Sequence, residues 1–283
     1  MKITLVKACS DLGVHVCGSE KGPIALSNIN NLVDKVITVN KDNVKKELEP
    51  GNKKRNIKYV NKFNEELYNK VINEDNFVIT VGGDHSIAIG SDLGSAKKHS
   101  NIGIMWIDAH SDYHNMDSTI SGNLHGMPLC SITGENGTDL SYFFDGEYID
   151  PFKTIIIGAR DIEDAEYQNL QEAGVTVFTT EDIKTRGAKK VMEEAYSILD
   201  NCDAIHISYD LDVIDPLVAP GVSVKAKDGI NEEEAYLIMD EIIKRKELLK
   251  SFDLVELNPD NDIDNKTQKI ATNLLEKLIK NIK

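Results

Sequence analysis

Eight short apolar runs rich in β-branched residues recur along the whole 283-residue chain, and they limit the folds available to it more than any other feature. Each run is continuous rather than alternating, which is typical of strands that are covered on both faces of a parallel sheet. The runs occupy residues 2–6, 36–39, 77–81, 103–107, 154–158, 175–179, 204–208 and 252–257.

Helical patterns lie between most of these runs. Residues 59–73 are amphipathic, because Val60, Phe63, Leu67 and Val71 fall on one stripe. Further candidate helices cover residues 86–99, 161–173, 189–199, 232–249 and 267–282. Alternating strands and helices indicate βαβ units with right-handed crossovers. We therefore predict an α/β fold with three layers, α/β/α, around a mainly parallel sheet.

The connecting segments are consistent with a single domain. Residues 41–56 form a charged stretch that contains Pro50-Gly51, and we expect a surface loop there. Residues 113–150 are rich in glycine and are expected to be mostly loop. Because the sequence shows no internal repeat and no low-complexity linker, we predict one domain over residues 1–283.

Charge and composition narrow the possible partners. The net charge is −15 and the isoelectric point is about 4.9, which argues against nucleic acid or an anionic membrane and fits a small cationic substrate. No apolar run approaches the roughly 20 residues that cross a bilayer, and the N-terminus does not resemble a signal peptide. Four scattered cysteines without a C-x-x-C pair suggest reduced thiols. We expect a cytoplasmic protein.

Polar clusters directly follow four of the apolar runs. They are Gly82-Gly83-Asp84-His85-Ser86, Asp108-Ala109-His110-Ser111-Asp112, Asp210-Leu211-Asp212 and Glu256. Ligands of open α/β sheets bind beyond the carboxyl ends of the strands, so these clusters should meet at one edge. If the backbone stays extended, every second side chain in a cluster points the same way. So many buried anions need neutralising cations, which predicts a two-metal hydrolytic centre.

Each cluster alone has a simpler interpretation. An isolated Asp-Leu-Asp is usually a turn or a helix cap, and an isolated Gly-Gly-Asp is usually a loop. His206, which lies inside an apolar run, is interpreted as a core histidine with satisfied hydrogen bonds and receives no functional role. The combination of clusters outweighs these readings. Carboxylate and imidazole ligands without cysteine suit Mn²⁺, with Fe²⁺, Co²⁺ or Ni²⁺ as possible substitutes.

These motifs resemble the ureohydrolase family, which includes arginase, agmatinase and formimidoylglutamase. The resemblance begins at Gly18 to Pro23 and continues through the clusters above and through Ser208 to Pro216. It ends at Asp253-Leu254-Val255-Glu256-Leu257-Asn258-Pro259. It implies an eight-stranded, mostly parallel sheet, a homotrimer or homohexamer, and a small guanidino or amidino substrate.

The resemblance also implies the ligands of two Mn²⁺ ions per chain. One ion would be held by His85, Asp108, Asp112 and Asp210, and the other by Asp108, His110, Asp210 and Asp212. Asp112 would in addition orient a bridging hydroxide that attacks the substrate, and Glu256 would accept hydrogen bonds from its guanidinium.

Within the family, the segment Ser121-Gly122-Asn123-Leu124-His125-Gly126-Met127-Pro128 is most like arginase. His125 matches a histidine that transfers a proton to the leaving amine, a role that suits an imidazole near neutral pH. We therefore predict hydrolysis of L-arginine to L-ornithine and urea. Ser121, Asn123, His114 and Glu163 are the expected substrate-binding residues.

Three departures concern the amino-acid end of the substrate. Arginases usually have asparagine at the position of His114 and aspartate at the position of Glu163, and the segment Ala219–Lys225 is closer to formimidoylglutamases. These differences keep formimidoylglutamate, agmatine or another guanidino acid open as alternative substrates. A non-catalytic metal-binding homologue is a further alternative, although no ligand position is lost.

Overall fold

One parallel sheet of eight strands forms the centre of the molecule. The computed structural model describes residues 1–41, 46–49, 52–134 and 138–283. The strands are β1 Ile3–Cys9, β2 Lys35–Asn40, β3 Phe77–Gly82, β4 Ile102–Ile107, β5 Thr154–Ala159, β6 Thr176–Thr179, β7 Ala204–Asp210 and β8 Leu249–Val255. Across the sheet they lie in the order β2-β1-β3-β8-β7-β4-β5-β6, and every pair of neighbouring strands is parallel. Each predicted run overlaps one strand, so the predicted parallel sheet is confirmed.

Helices cover both faces of this sheet, which completes the three predicted layers. Alternate residues of β4 show why, because Met105 and Ile107 pack in one apolar cluster while Ile104 and Trp106 pack in another. The described helices are α1 Gly22–Ala25, α2 Ile57–Ile72, α3 Ala88–Lys98, α4 Pro128–Ile132, α5 Asp164–Ala173, α6 Thr180–Arg186, α7 Ala188–Ile198, α8 Glu232–Lys244 and α9 Lys266–Ile282. None of the helices in the described ranges is long and apolar enough to cross a membrane.

The predicted boundaries fail where charged, helix-favouring residues continue past a helix. Helix α8 ends at Lys244 rather than at residue 249, because Leu249 already begins β8. Helix α6 was not predicted, and the loop-rich segment 113–150 contains the short helix α4. Arg55 and Asn56 are buried, so the expected surface loop 41–56 enters the interior at its end. Residues 42–45, 50–51 and 135–137 of these two segments lie outside the described residues.

The strand order brings the polar clusters together. Strands β3, β8, β7 and β4 are consecutive neighbours at the middle of the sheet. Their carboxyl ends lead into Gly83, Glu256, Leu211 and Asp108, which belong to the four clusters or border them. A chain whose four clusters are far apart in sequence therefore gathers them at one edge. That the chain is one domain over residues 1–283 stays a prediction.

Candidate metal centre

His85 faces three carboxylates with one ring nitrogen. Its Nδ1 lies 3.0 Å from Asp108 Oδ2, 3.1 Å from Asp210 Oδ2 and 3.2 Å from Asp112 Oδ2. All four side chains are almost fully buried, and Nδ1 has no hydrogen-bond partner among the described residues. The other nitrogen, Nε2, lies 2.9 Å from Ser208 Oγ. One imidazole nitrogen surrounded by carboxylate oxygens is an arrangement that a divalent cation would satisfy.

His110 forms a second group with two of the carboxylates. Its Nδ1 lies 2.9 Å from Asp212 Oδ2 and 3.5 Å from Asp108 Oδ1. One ligand atom each of His85, Asp108 and Asp210 lie within 4.8 Å of one another, and so do those of Asp108, His110 and Asp212. Asp108 thus belongs to both groups. The structure brings all six sequence-predicted ligands to one place.

Tight turns, not extended strands, aim these ligands. Strand β4 ends before Asp108, whose Oδ1 accepts a hydrogen bond of 2.7 Å from the backbone N–H of His110. Asp112 has a left-handed backbone with φ of 51°. Asp210 ends β7 and accepts from the N–H of Asp212 at 2.7 Å. The extended backbone on which the alternation of side chains was conditional does not continue past β4, because aspartates here close Asx-type turns, and it is these turns that bring the side chains together.

The electrostatics of the group also fit cation binding. Burial, together with the charges of Asp212 and Asp108, raises the pKa of Asp210 well above its usual value. Burial and the nearby charge of Asp108 raise the pKa of Asp112 to about 7. Burial opposes charge on His85, yet its carboxylate partners raise the pKa of this imidazole. A bound cation would displace these protons, since metal ligands must be deprotonated.

A second layer holds the ligands in place. The indole N–H of Trp106 donates to Asp108 Oδ2 at 2.9 Å, and the Trp106 ring stacks on His85 with 3.9 Å between centroids. Both residues that support His85, Trp106 and Ser208, lie inside predicted strands. Ser208 begins one of the motifs that carry the family resemblance, but nothing in the sequence assigned either residue a role at the site.

Glu256 and His125 form a pair beside the ligands. His125 Nδ1 lies 2.9 Å from Glu256 Oε1, which also accepts from the backbone N–H of His85 at 2.9 Å. Burial disfavours charge on Glu256, but these hydrogen bonds hold the pKa of its carboxyl below the usual range. Its other oxygen, Oε2, is buried and has no partner in the described parts of the chain. Glu256 itself has a φ of 68°, just past the end of β8.

A cavity of about 240 Å³ opens over the centre and receives the predicted substrate-binding residues. Ser121, Asn123, His114 and Glu163 all line it, and Val224 represents the divergent segment 219–225. Sequence reasoning missed three polar residues of the lining, which are His15, Asp161 and Glu166. His114 Nε2 lies 3.4 Å from Glu166 Oε2, and Glu163 is 3.6 Å from the same nitrogen. That the four predicted residues bind the substrate stays a prediction.

A third group of ligating side chains lies deeper in the sheet. His206 Nε2 is 2.7 Å from Asp92 Oδ1 and 3.5 Å from Asp253 Oδ2, and its Nδ1 is 2.7 Å from Ser251 Oγ. Asp92, His206 and Asp253 are fully buried, and we call them the core triad. The structure places His206 among polar partners within the core.

The fold and the site define an α/β protein with a candidate metal centre at the carboxyl ends of its strands. Comparison with known proteins then identifies the family. A sequence model described as the arginase family matches residues 2–280. An arginase of Bacillus subtilis is 37% identical over 98% of this chain and 97% of its own. An arginase of Entamoeba histolytica is 33% identical over 91% of each chain.

Solved structures give the same result. The crystal structure of Entamoeba histolytica arginase in complex with L-ornithine has a TM-score of 0.91 at 31% identity, covering 98% of both chains. A Bacillus subtilis formimidoylglutamase, at 17% identity and a TM-score of 0.80, shares the fold. The chain belongs to the arginase family. It is a hydrolase that acts on C–N bonds of linear amidines.

Proposed function

We propose that this protein is a Mn²⁺-dependent arginase that hydrolyses L-arginine to L-ornithine and urea. The observation that carries the proposal is the buried Oε2 of Glu256, which has no partner among the described residues and lies beside the six clustered ligands. His85, Asp108, Asp112, Asp210, His110 and Asp212 would hold two Mn²⁺ ions. When bound, paired cations lower the pKa of water toward neutrality and so supply a nucleophile.

Glu256 is suited to bind the guanidinium. Its Oε1 is occupied by His125 and by the N–H of His85, so Oε2 remains to accept an N–H of the substrate. A charge-assisted hydrogen bond from a planar guanidinium would fix its orientation and expose one face to attack. Asp112, which lines the cavity, would orient the attacking water.

His125 is suited to protonate the leaving amine. Because the Glu256 carboxylate is an acceptor, His125 Nδ1 must donate to it, which leaves Nε2 as the titrating nitrogen. Burial opposes charge on His125, but the hydrogen bond to Glu256 together with the charges of Glu256, Asp112 and Asp84 raises the pKa of this imidazole above its usual value. An imidazolium held this way would transfer its Nε2 proton to the departing nitrogen of L-ornithine.

The similarity of this chain to arginases supports L-arginine as its substrate over the alternatives. L-Arginine, agmatine and formimidoylglutamate should be compared with added Mn²⁺, by measuring urea and formamide. We expect urea from L-arginine at the highest kcat/KM, and preferential formamide release would contradict the proposal. His125→Asn should reduce kcat by roughly 10²-fold or more, as expected for a lost general acid. The cytoplasmic location and the homotrimer or homohexamer also remain predictions.

A further inference from the structure

The side-chain oxygen of Asn123 is occupied by donors of the protein itself. Its Oδ1 accepts from the backbone N–H of His15 at 3.2 Å and from Arg55 Nη2, and His15 Nδ1 lies 3.1 Å away. A backbone N–H and a guanidinium can only donate, so the oxygen of the amide must be the atom that faces them. The Nδ2 group of Asn123 is therefore the end that is left for a ligand.

Arg55 supplies the strongest of these donors from an unusual position. It precedes α2, is 1% exposed, and also donates Nη1 to the carbonyl of Glu49 at 2.5 Å. It forms no ion pair with a carboxylate in the described ranges. Burial lowers the pKa of its guanidinium, which Glu47 partly opposes. Burying an unpaired cation is costly, so a compensating anion nearby would be stabilised.

The rest of the cavity has the opposite charge. Asp161, Glu163 and Glu166 line one side, and the metal ligands form its base. A ligand carboxylate would be repelled there. Near Asn123 and Ser121 it would meet an amide N–H, a hydroxyl and the positive potential of the buried guanidinium. The cavity thus has one side that fits an anion and one that fits a cation.

We propose that Arg55 is a positioning residue that makes the site selective for substrates carrying a carboxylate. This inference rests on the proposed function, because it assigns the carboxylate of the amino acid to the side of the cavity next to Asn123. Arg55 acts through Asn123, whose amide it holds with the N–H groups directed toward the ligand. The residue does not touch the reacting atoms, so its effect should fall on binding and not on the chemical step.

The test compares ligands that differ only by the carboxylate. Binding of L-ornithine and 1,4-diaminobutane to the Mn²⁺-loaded protein is measured by calorimetry, together with kcat and KM for L-arginine and agmatine. We expect Arg55→Met to weaken L-ornithine binding and raise KM for L-arginine roughly 10-fold, the factor for one charge-assisted hydrogen bond. Binding of 1,4-diaminobutane, kcat and the agmatine KM should stay within about 2-fold.

Matched variants separate positioning from folding and from charge. Lys54→Met removes a neighbouring exposed cation and should leave all values unchanged. Arg55→Lys keeps the charge but loses the planar fork, so its effect should be intermediate. In an Asn123→Ala background, Arg55→Met should have little further effect. Melting temperatures report whether each variant is folded. If Arg55→Met does not fold, Arg55→Lys is measured in its place, both alone and in the Asn123→Ala background.

Three results would overturn the inference. Arg55→Met could weaken the binding of both ligands equally, or the binding of neither. It could also have its full effect in the Asn123→Ala background. A wild-type protein that hydrolyses agmatine but not L-arginine would instead refute the proposed function, and the ligand ratio in Arg55→Met would still decide the role of Arg55. A wild type that binds neither ligand would refute both.

Discussion

The metal centre and the core triad are built from the same residue types, and β7 contributes Asp210 to the first and His206 to the second, yet they differ in how their charge can be balanced. In the core triad one imidazole meets two carboxylates, and each ring nitrogen lies 2.7 Å from one oxygen atom, Nε2 from Asp92 Oδ1 and Nδ1 from Ser251 Oγ. At the metal centre two imidazoles meet four carboxylates, and His85 Nδ1 faces three of them at once. A proton can satisfy the first arrangement, whereas the second needs cations of higher charge.

The pKa values support this difference. Burial opposes charge on His206, but Asp92 and Asp253 raise the pKa of its imidazole to about 10. These carboxylates favour an imidazolium form of His206 at neutral pH, while burial raises the pKa of Asp92 to about 6. The metal centre opens to a cavity, which His110, Asp112, Asp210 and Asp212 help to line, whereas the three residues of the core triad are fully buried. Strand β7 joins the two regions, because Ser208 lies between His206 and Asp210 and contacts His85.

Asp210→Asn should have the largest effect, because it removes a negative charge from the centre without changing side-chain size. Outer partners of metal ligands alone contribute 10–100-fold to affinity or activity, so loss of a ligand should cost at least ~100-fold in kcat/KM. Steady-state kinetics with Mn²⁺ would measure this. Asp253→Asn in the core triad is the matched control, and an equal loss there would erase the distinction between the two regions.

Added Mn²⁺ should stabilise the protein, and more so at higher pH. The pKa of Asp112 is raised to about 7, and the pKa values of His85 and His110 are raised well above the usual value of an imidazole, so the folded metal-free protein binds more protons than the unfolded chain. The free energy of unfolding of the metal-free protein should therefore fall as pH rises from 6 to 8.5. Over the same range protons compete less with Mn²⁺ for the ligands, so metal binding should add more stability.

Thermal unfolding with and without Mn²⁺ at pH 6 and pH 8.5 measures this dependence. At a free metal concentration 100 times the dissociation constant, binding adds about 2.7 kcal/mol to the free energy of unfolding. The gain in melting temperature should be larger at pH 8.5. A gain that is equal at both pH values would show that the six ligands do not release protons when metal binds.

Ser208→Ala tests the link between the two regions. The hydroxyl fixes the ring of His85 through a contact of 2.9 Å, so its loss should weaken Mn²⁺ binding roughly 10-fold, the low end for an outer partner. Competition with a metal-binding dye gives the affinity. Ser208→Thr restores the hydroxyl and should recover binding, and an alanine variant with unchanged affinity would remove Ser208 from the metal centre.

Asp92→Asn should have the smallest effect, and only on folding. The substituted amide oxygen can still accept from His206, so the change replaces a charge-assisted hydrogen bond with a neutral one and costs about 1 kcal/mol. Urea unfolding at pH 7 without metal would measure the free energy. Mn²⁺ affinity should stay the same, and a weaker affinity would mean that the core triad contributes to the metal centre.

The sequence predicted much of the fold because buried parallel strands leave continuous apolar runs, and here all eight did so. It also predicted which residues meet, since the carboxyl ends of neighbouring strands must share an edge. It did not predict how they are aimed, because the left-handed backbone of Asp112 and the turn at Asp210 leave no periodic pattern. Arg55 and Asp92 were missed for a related reason. Charged residues in a loop and a helix are usually exposed, and only tertiary packing buries these two.

The metal content of the purified protein tests the account most directly. After loading with Mn²⁺ and removal of free ions, elemental analysis of the wild type, Asp210→Asn and Asp92→Asn should be compared. We predict about two ions per chain in the wild type and in Asp92→Asn, and a clear loss in Asp210→Asn. A wild type that retains no metal, or a loss in Asp92→Asn with none in Asp210→Asn, would contradict the assignment of the cations to the edge of the sheet.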